Sequence, residues 1–396
     1  MRHDIRRDIL IVGGGPVGAA AALALYDAGF DVALIERGCA PPQWMANEYD
    51  PRVYAIAPAS QQLLADLQIW EPLAAARVSA YTQMKIWERG PAQALKFNAA
   101  DTGRAQLGWI VEHGLIAHEL WSRLKALAAG GLAVHVEAAI TQAEFGEDGA
   151  GVEISDGRKL QARLLIAADG AASQMRVFAG IETLQWGYGQ RAIICHVRTQ
   201  QPHRNTAFQR FLKTGPLAFL PLADGRASIV WSADDALAEE LLGLDERAFC
   251  QRLSQASEDV LGEVLEATPR IGVPLQLLHA REYAAASMVL VGDAAHAIHP
   301  LAGQGVNLGF ADVRTLVETL ADARAARRDW ASARALARYA RGRKSQNLEM
   351  LALTDTLYRA FRPSLPGLRA ALGFGMSAVD RIAPLKSWLG RRAAQA

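Results

Sequence analysis

Apolar residues fall into short runs, separated by stretches in which they recur every three or four positions. The first run, Asp8-Ile-Leu-Ile-Val12, predicts a strand covered on both faces. Ala19–Ala28 reads as a helix and Asp31–Ile35 as a second strand, so the chain opens as a βαβ unit of a parallel sheet. Met84–Trp87, Leu132–Val136, Val152–Ile154 and Leu164–Ala167 read as further strands, with a helix at His118–Ala129. From Arg191 the pattern changes. Ala192–Val197, Ala207–Leu212, Leu217–Leu220 and Ala227–Trp231 are short runs with turn residues between them, as in an antiparallel sheet. Helices are expected over Asp245–Ala267, a buried strand at Met288–Val291 and a long helix from Gly305. In that helix Val306, Phe310, Val313, Val317 and Leu320 share one face. The pattern therefore predicts an α/β chain: a parallel-sheet domain built from separated segments, interleaved with an antiparallel-sheet domain.

Composition narrows the class. The 396 residues are 51% hydrophobic and 21% charged, which is globular, and the formal net charge of +1 gives no electrostatic footprint for nucleic acid. Cys39, Cys195 and Cys250 are scattered, with neither zinc-ligand spacing nor a disulfide framework, and fit a reducing cytoplasm. The sequence shows no secretory signal and no run of 18 apolar residues, so any membrane contact is expected to be peripheral. The tail from Tyr358 carries Arg359, Arg362, Arg369, Arg381, Lys386, Arg391 and Arg392 against Asp380, with apolar residues between them. It fits either an anionic lipid surface or a helix packed on the domain or on a second subunit.

Three loops carry the candidate chemistry. Gly13-Gly14-Gly15-Pro16-Val17-Gly18 follows the first strand and matches G-x-G-x-x-G. Gly13 permits the tight turn, Gly15 lets a pyrophosphate approach the backbone, and Gly18 lets helix and strand close up. Glu36, at the end of the second strand, is placed to accept hydrogen bonds from adenosine ribose hydroxyls. This unit alone does not separate FAD from NAD. Asp169-Gly170 ends another apolar strand, where the aspartate either meets a ligand or caps the next helix. Gly292-Asp293 ends a third strand. Pro300, Gly303, Gln304, Gly305, Val306 and Asn307 follow, two glycines leading into a helix whose first amides would face the N1–C2=O edge of a flavin. Asp293 is placed for ribityl hydroxyls. His296 and His299 lack the Cys or Glu partners a metal would need, so no metal is expected. His296 reads as structural and Asp312 as a cap or pairing group.

With these residues in order, the chain resembles the group A flavoprotein monooxygenases, whose fold is that of p-hydroxybenzoate hydroxylase. Within that group it resembles the ubiquinone-biosynthesis hydroxylases. The likeness rests on His296-Ala-Ile-His-Pro-Leu-Ala-Gly-Gln-Gly-Val-Asn-Leu-Gly309, on Arg52-Val-Tyr-Ala-Ile56, and on Gly215–Leu222 with Ile229-Val-Trp231. The resemblance implies a Rossmann-like FAD-binding domain (1–75, 105–180 and 275–345), a substrate domain (76–104 and 181–274) and a C-terminal helical segment (346–396). It implies adenosine on Glu36 beside Arg37, Arg52 close to the flavin, Arg123 as a polar FAD contact and Asp169 serving both FAD and NAD(P)H. No second G-x-G-x-x-G provides a nicotinamide domain, so NAD(P)H would bind transiently or a partner would supply electrons. Activity would be ring hydroxylation of a prenylated phenol with O2 through a flavin C4a-hydroperoxide. Phe219, Pro221 and Trp231 are the expected substrate wall, and no general base is evident. A prenyl reductase on the same fold, or a non-catalytic FAD-binding or quinone-precursor-binding member of a biosynthetic complex, remains open, as does a homo-oligomer.

Overall fold

In the computed structural model, which describes residues 5–88, 90–297 and 305–361, the first strand spans Ile5–Val12. It lies inside a parallel array ordered Met288–Leu290, Lys159–Ala167, Ile5–Val12, Val32–Ile35, Ala133–His135. Alternation along the strand explains why it is apolar throughout. Ile9 and Ile11 pack against the helices Pro16–Asp27, His113–Ala128 and Gly305–Ala325. Leu10 and Val12 pack on the opposite face, beneath the hairpin Ile140–Gly146/Gly149–Ile154. Burying each such side chain contributes about 1.5–3 kcal/mol. The first helix begins at Pro16, three residues before the expected Ala19, because proline at the first helical position lacks only an N–H that would have no partner there.

The second sheet has nine strands, and Thr183–Thr199 runs through its centre. One face carries Phe219, Trp231, Ile193 and Cys195 and is covered by the helices Asp235–Gly243 and Glu246–Ser257 through Leu241, Phe249 and Leu253. The other face carries His196, whose Nε2 meets the Asp50 carbonyl at 3.0 Å in the segment leading to Arg52. That second face therefore looks toward the glycine-loop half. The placement corrects the expectation for the substrate wall. Phe219 and Trp231 are each 2% exposed, and Pro221, two residues on from Phe219, shares their side; all three point away from the cleft. Ile194 and Val230, one residue out of phase, are on the cleft side.

The helix expected over Asp245–Ala267 ends at Ser257. Glu258, Asp259 and Gly262 all take positive φ, and Val264–Ala267 becomes a strand paired with Val197–Thr199. A third, three-stranded sheet joins Val53–Ile56, Gly108–Glu112 and Ser79–Tyr81. It holds the Arg52 segment against the helix Gly305–Ala325. The Asn307 side chain donates to Ala55 O at 2.8 Å and accepts the Ala57 N–H at 2.9 Å.

Candidate active site

The three loops meet at the carboxyl ends of the parallel strands. Gly13 N–H donates to Ile35 O (2.8 Å), Ala168 N–H to Val12 O (2.8 Å) and Val291 N–H to Ala167 O (3.0 Å), so each loop is tied to its neighbour. Gly13 has φ +106°, and a β-carbon there would lie 2.4 Å from Ala168 O. One on Gly18 would lie 1.9 Å from Gly13 O. These glycines close the crossing. Gly15 differs: among the described residues nothing lies within 4 Å of a β-carbon placed on it, and no side chain caps the helix it precedes. Open space over uncapped N-terminal amides fits a pyrophosphate. Gly305, at the start of the third loop's helix, likewise meets nothing within 4 Å among the described residues.

Glu36 Oε2 accepts Gly14 N–H at 2.5 Å and Oε1 accepts Gly38 N–H at 2.7 Å, which fixes the carboxylate and leaves lone pairs for ribose hydroxyls. Trp121, missed from sequence, supports this loop from below. Its indole N–H donates to Gly14 O at 2.8 Å, and its ring leaves no room for a side chain on Gly14. Val17 packs into the spaces left by Gly292 and Gly309, which locks the first helix, the turn and the helix Gly305–Ala325 together.

Asp169 resolves atom by atom. Oδ2 accepts Met175 N–H at 3.1 Å, while Oδ1 is buried without a hydrogen-bond partner among the described residues. One oxygen serves the helix Gln174–Phe178, and the other could accept a hydrogen bond from a bound group. Arg176 ties this loop to the next, donating to Ala171 O (2.7 Å) and Ala294 O (2.8 Å).

Asp293 is open to solvent yet hemmed in by protein, as on a cleft floor. Burial pushes its carboxyl upward, while His296 and the Arg52 guanidinium pull it down. Two residues on from Arg52, and so on the same side of the strand, stands Tyr54. Its hydroxyl lies 2.9 Å from His113 Nδ1. Burial raises the phenol to about 12, with Arg52 opposing, and burial, then Arg52, lowers the His113 imidazole. At neutral pH both groups are therefore uncharged, and the bond joins a neutral phenol to a neutral imidazole. The structure thus groups Arg52, Tyr54, His113 and Asp293.

Other expected residues fall elsewhere. Arg37 is exposed. Arg123 bears on Asp27, at the far end of the first helix from the glycine loop, and its buried Nε has no hydrogen-bond partner. The Asn307 side chain is used on the Arg52 strand. Val306 is buried in the core. Pro300, Gly303 and Gln304 lie outside the described residues, as does the chain beyond residue 361. Among the described residues no cluster of His, Cys, Asp or Glu is arranged for a metal, and no helix is long and apolar enough to cross a membrane.

An open glycine cradle, an acidic second-strand terminus and a second Gly-Asp turn facing a helix start define a flavin-dinucleotide fold. Residues 6–353 match the family described as FAD binding domain. The chain is 36% identical over 381 residues to 3-demethoxyubiquinol 3-hydroxylase of Escherichia coli, covering 96% of each. It is 37% identical over 386 residues to ubiquinone hydroxylase UbiL of Rhodospirillum rubrum, covering 98% of this chain and 89% of that one. Among solved structures, p-nitrophenol 4-monooxygenase PnpA of Pseudomonas putida shares the fold, with a TM-score of 0.79, 18% identity and 99% of each chain covered. The chain belongs to the FAD-dependent monooxygenases, in the family of ubiquinone-biosynthesis hydroxylases.

Proposed function

We propose that this protein hydroxylates the aromatic ring of a prenylated phenol in ubiquinone biosynthesis, using FAD, NAD(P)H and O2. The observation that carries the reading is end-to-end similarity to two hydroxylases of that pathway, over a chain whose cradle fits the dinucleotide. On this reading residues 1–75, 105–180 and 275–345 hold FAD, residues 76–104 and 181–274 cover the substrate, and the segment 346–396 belongs to neither domain.

Bound FAD, reduced by NAD(P)H, supplies the oxygen-activating chemistry. The chain's own residues bind, orient and exclude water. The amides after Gly15 hold the pyrophosphate and Glu36 the adenosine ribose. Asp293 accepts from ribityl hydroxyls, and the open oxygen of Asp169 faces the cofactor. The first amides of Gly305–Ala325 stabilise negative charge at the flavin edge. Arg52 places a positive charge beside Asp293. The cleft face of the nine-stranded sheet, with Ile86, Ile194 and Val230, supplies apolar cover and limits water at the ring.

The test is production in a bacterial host lacking its own ring hydroxylases, under isotopically labelled O2. Label in a newly hydroxylated ring, located by mass spectrometry, is expected. FAD-loaded protein that leaves the ring unchanged and unlabelled would overturn the assignment in favour of a reductase or a non-catalytic binding member. An isoprenoid substrate also favours a cytoplasmic enzyme peripheral to the inner membrane, in contact with other ubiquinone-biosynthesis proteins or a second copy. Loss of liposome flotation on deleting residues 358–396 is the expected sign of a lipid contact, and unchanged flotation removes the tail from that role.

A further inference from the structure

We propose that the helix Ala333–Phe361 is a positioning element for the flavin, with Arg343 and Asn347 acting through Asp312 on the turn that carries Asp293. Asp312 lies on the helix Gly305–Ala325 and its side chain is 0% exposed. Its Oδ2 accepts the Gly292 N–H at 2.9 Å and meets His296 Nε2 at 2.6 Å. A single carboxylate oxygen thus pins both ends of the five-residue segment 292–296, and Asp293 projects from between the pins.

The other oxygen is held from the C-terminal helix. Asp312 Oδ1 accepts from Arg343 Nε at 2.6 Å and from Asn347 Nδ2 at 3.3 Å. Arg343 Nη2 reaches Asn347 Oδ1 at 2.9 Å and Leu308 O at 3.3 Å, so the fork is locked on its own helix and on its neighbour. Asn347 also donates to the Tyr283 hydroxyl at 3.3 Å, itself 3.4 Å from His279 Nε2 on a strand of the nine-stranded sheet. The same helix position therefore ties the cofactor turn to the sheet above it.

A carboxylate removed from water is costly unless fully paired. Burial pushes Asp312 toward protonation, and His296 and Arg343 outweigh it, holding the carboxyl below its usual range. Without Arg343 the carboxylate either takes up a proton or turns toward another partner. In both cases the pins on Gly292 and His296 weaken, and Asp293 loses its fixed seat. Arg343 and Asn347 touch no cofactor space themselves, so they are positioning residues. The inference is independent of which phenol is the substrate.

The test compares full-length Arg343→Met, Arg343→Lys and Asn347→Leu with a control, Trp330→Ala. Trp330 packs on Phe30 and Arg163, away from the turn, and its loss lowers stability without touching the pins. FAD affinity of refolded apoprotein and the midpoint potential of bound flavin are measured where every apoprotein remains folded. Arg343→Met is expected to weaken FAD binding at least about tenfold and to shift the potential, with Arg343→Lys between it and wild type. The control is expected to keep wild-type affinity and potential. Wild-type values in folded Arg343→Met, or an equal loss in the control, would overturn the proposal. Should Arg343→Met not fold, Asn347→Leu is judged by the same two measurements and the same outcomes.

Discussion

Asp293 is an ionisable group held in an environment that disfavours its charge. Crowding raises its carboxyl above the ordinary range, so in the cofactor-free protein ionisation costs stability, and that cost appears as pH rises through the raised value. Asp293→Asn is therefore expected to raise the melting temperature of apoprotein, by an increment that grows from acid to neutral pH. The same variant is expected to weaken FAD binding. Melting curves and FAD titrations at matched pH check both, and a destabilised Asp293→Asn apoprotein would contradict the first. Asp293 and Asp169 were legible in the sequence because each ends an apolar strand and is followed or preceded by glycine. Tyr54 and His113 were not, because the hydrogen bond between them joins residues 59 apart and only the third sheet brings them together. Trp121 escaped for a similar reason: nothing in a helical run announces an indole N–H aimed at Gly14.

At the scale of elements, the helices Pro16–Asp27 and Gly305–Ala325 approach closely because Gly309 lacks a side chain. A β-carbon there would lie 2.5 Å from Val17 Cγ2, with backbone of Gly292 at 3.4 Å. Gly309→Ala is expected to cost about 1–3 kcal/mol in denaturant unfolding, since Val17 has turn backbone behind it. Val17→Ala combined with Gly309→Ala should recover part of that loss. The strands of the parallel sheet were readable because burial on both faces makes them apolar end to end. The same property hid the orientation of Gly215–Pro221, where Leu217 and Phe219 alternate with Ala218 and Leu220, and apolarity carries no sign of face. Ser228 and Ser232, on the cleft side of the next strand, were the weak signal for which side was which. Val53–Ile56 and Ser79–Tyr81 are too short to leave a periodic trace.

Across the whole molecule, Tyr49 joins the two large sheets' territories. Its ring lies between the guanidinium of Arg77 at 3.6 Å and that of Arg226 at 4.6 Å. Arg77 is anchored by two bonds to Glu112, which also accepts the Asp50 N–H at 2.8 Å. Arg226 belongs to the hairpin beyond Pro221, so the stack spans from the Arg52 segment to the sheet above it. A double-mutant cycle of Tyr49→Leu with Arg226→Ala, read by denaturant unfolding, is expected to give a coupling of about 0.5–1 kcal/mol. Additive losses would show that the contact carries no energy. The parallel array also has a consequence for synthesis. Its edge strand Met288–Leu290 pairs with Lys159–Ala167, yet it is synthesised after most of the nine-stranded sheet. Until then the nascent protein exposes an unpaired parallel edge and lacks the Gly292–Asp293 turn. Capture of a dinucleotide must therefore wait until that strand has emerged and paired, and the waiting edge is where a chaperone would act.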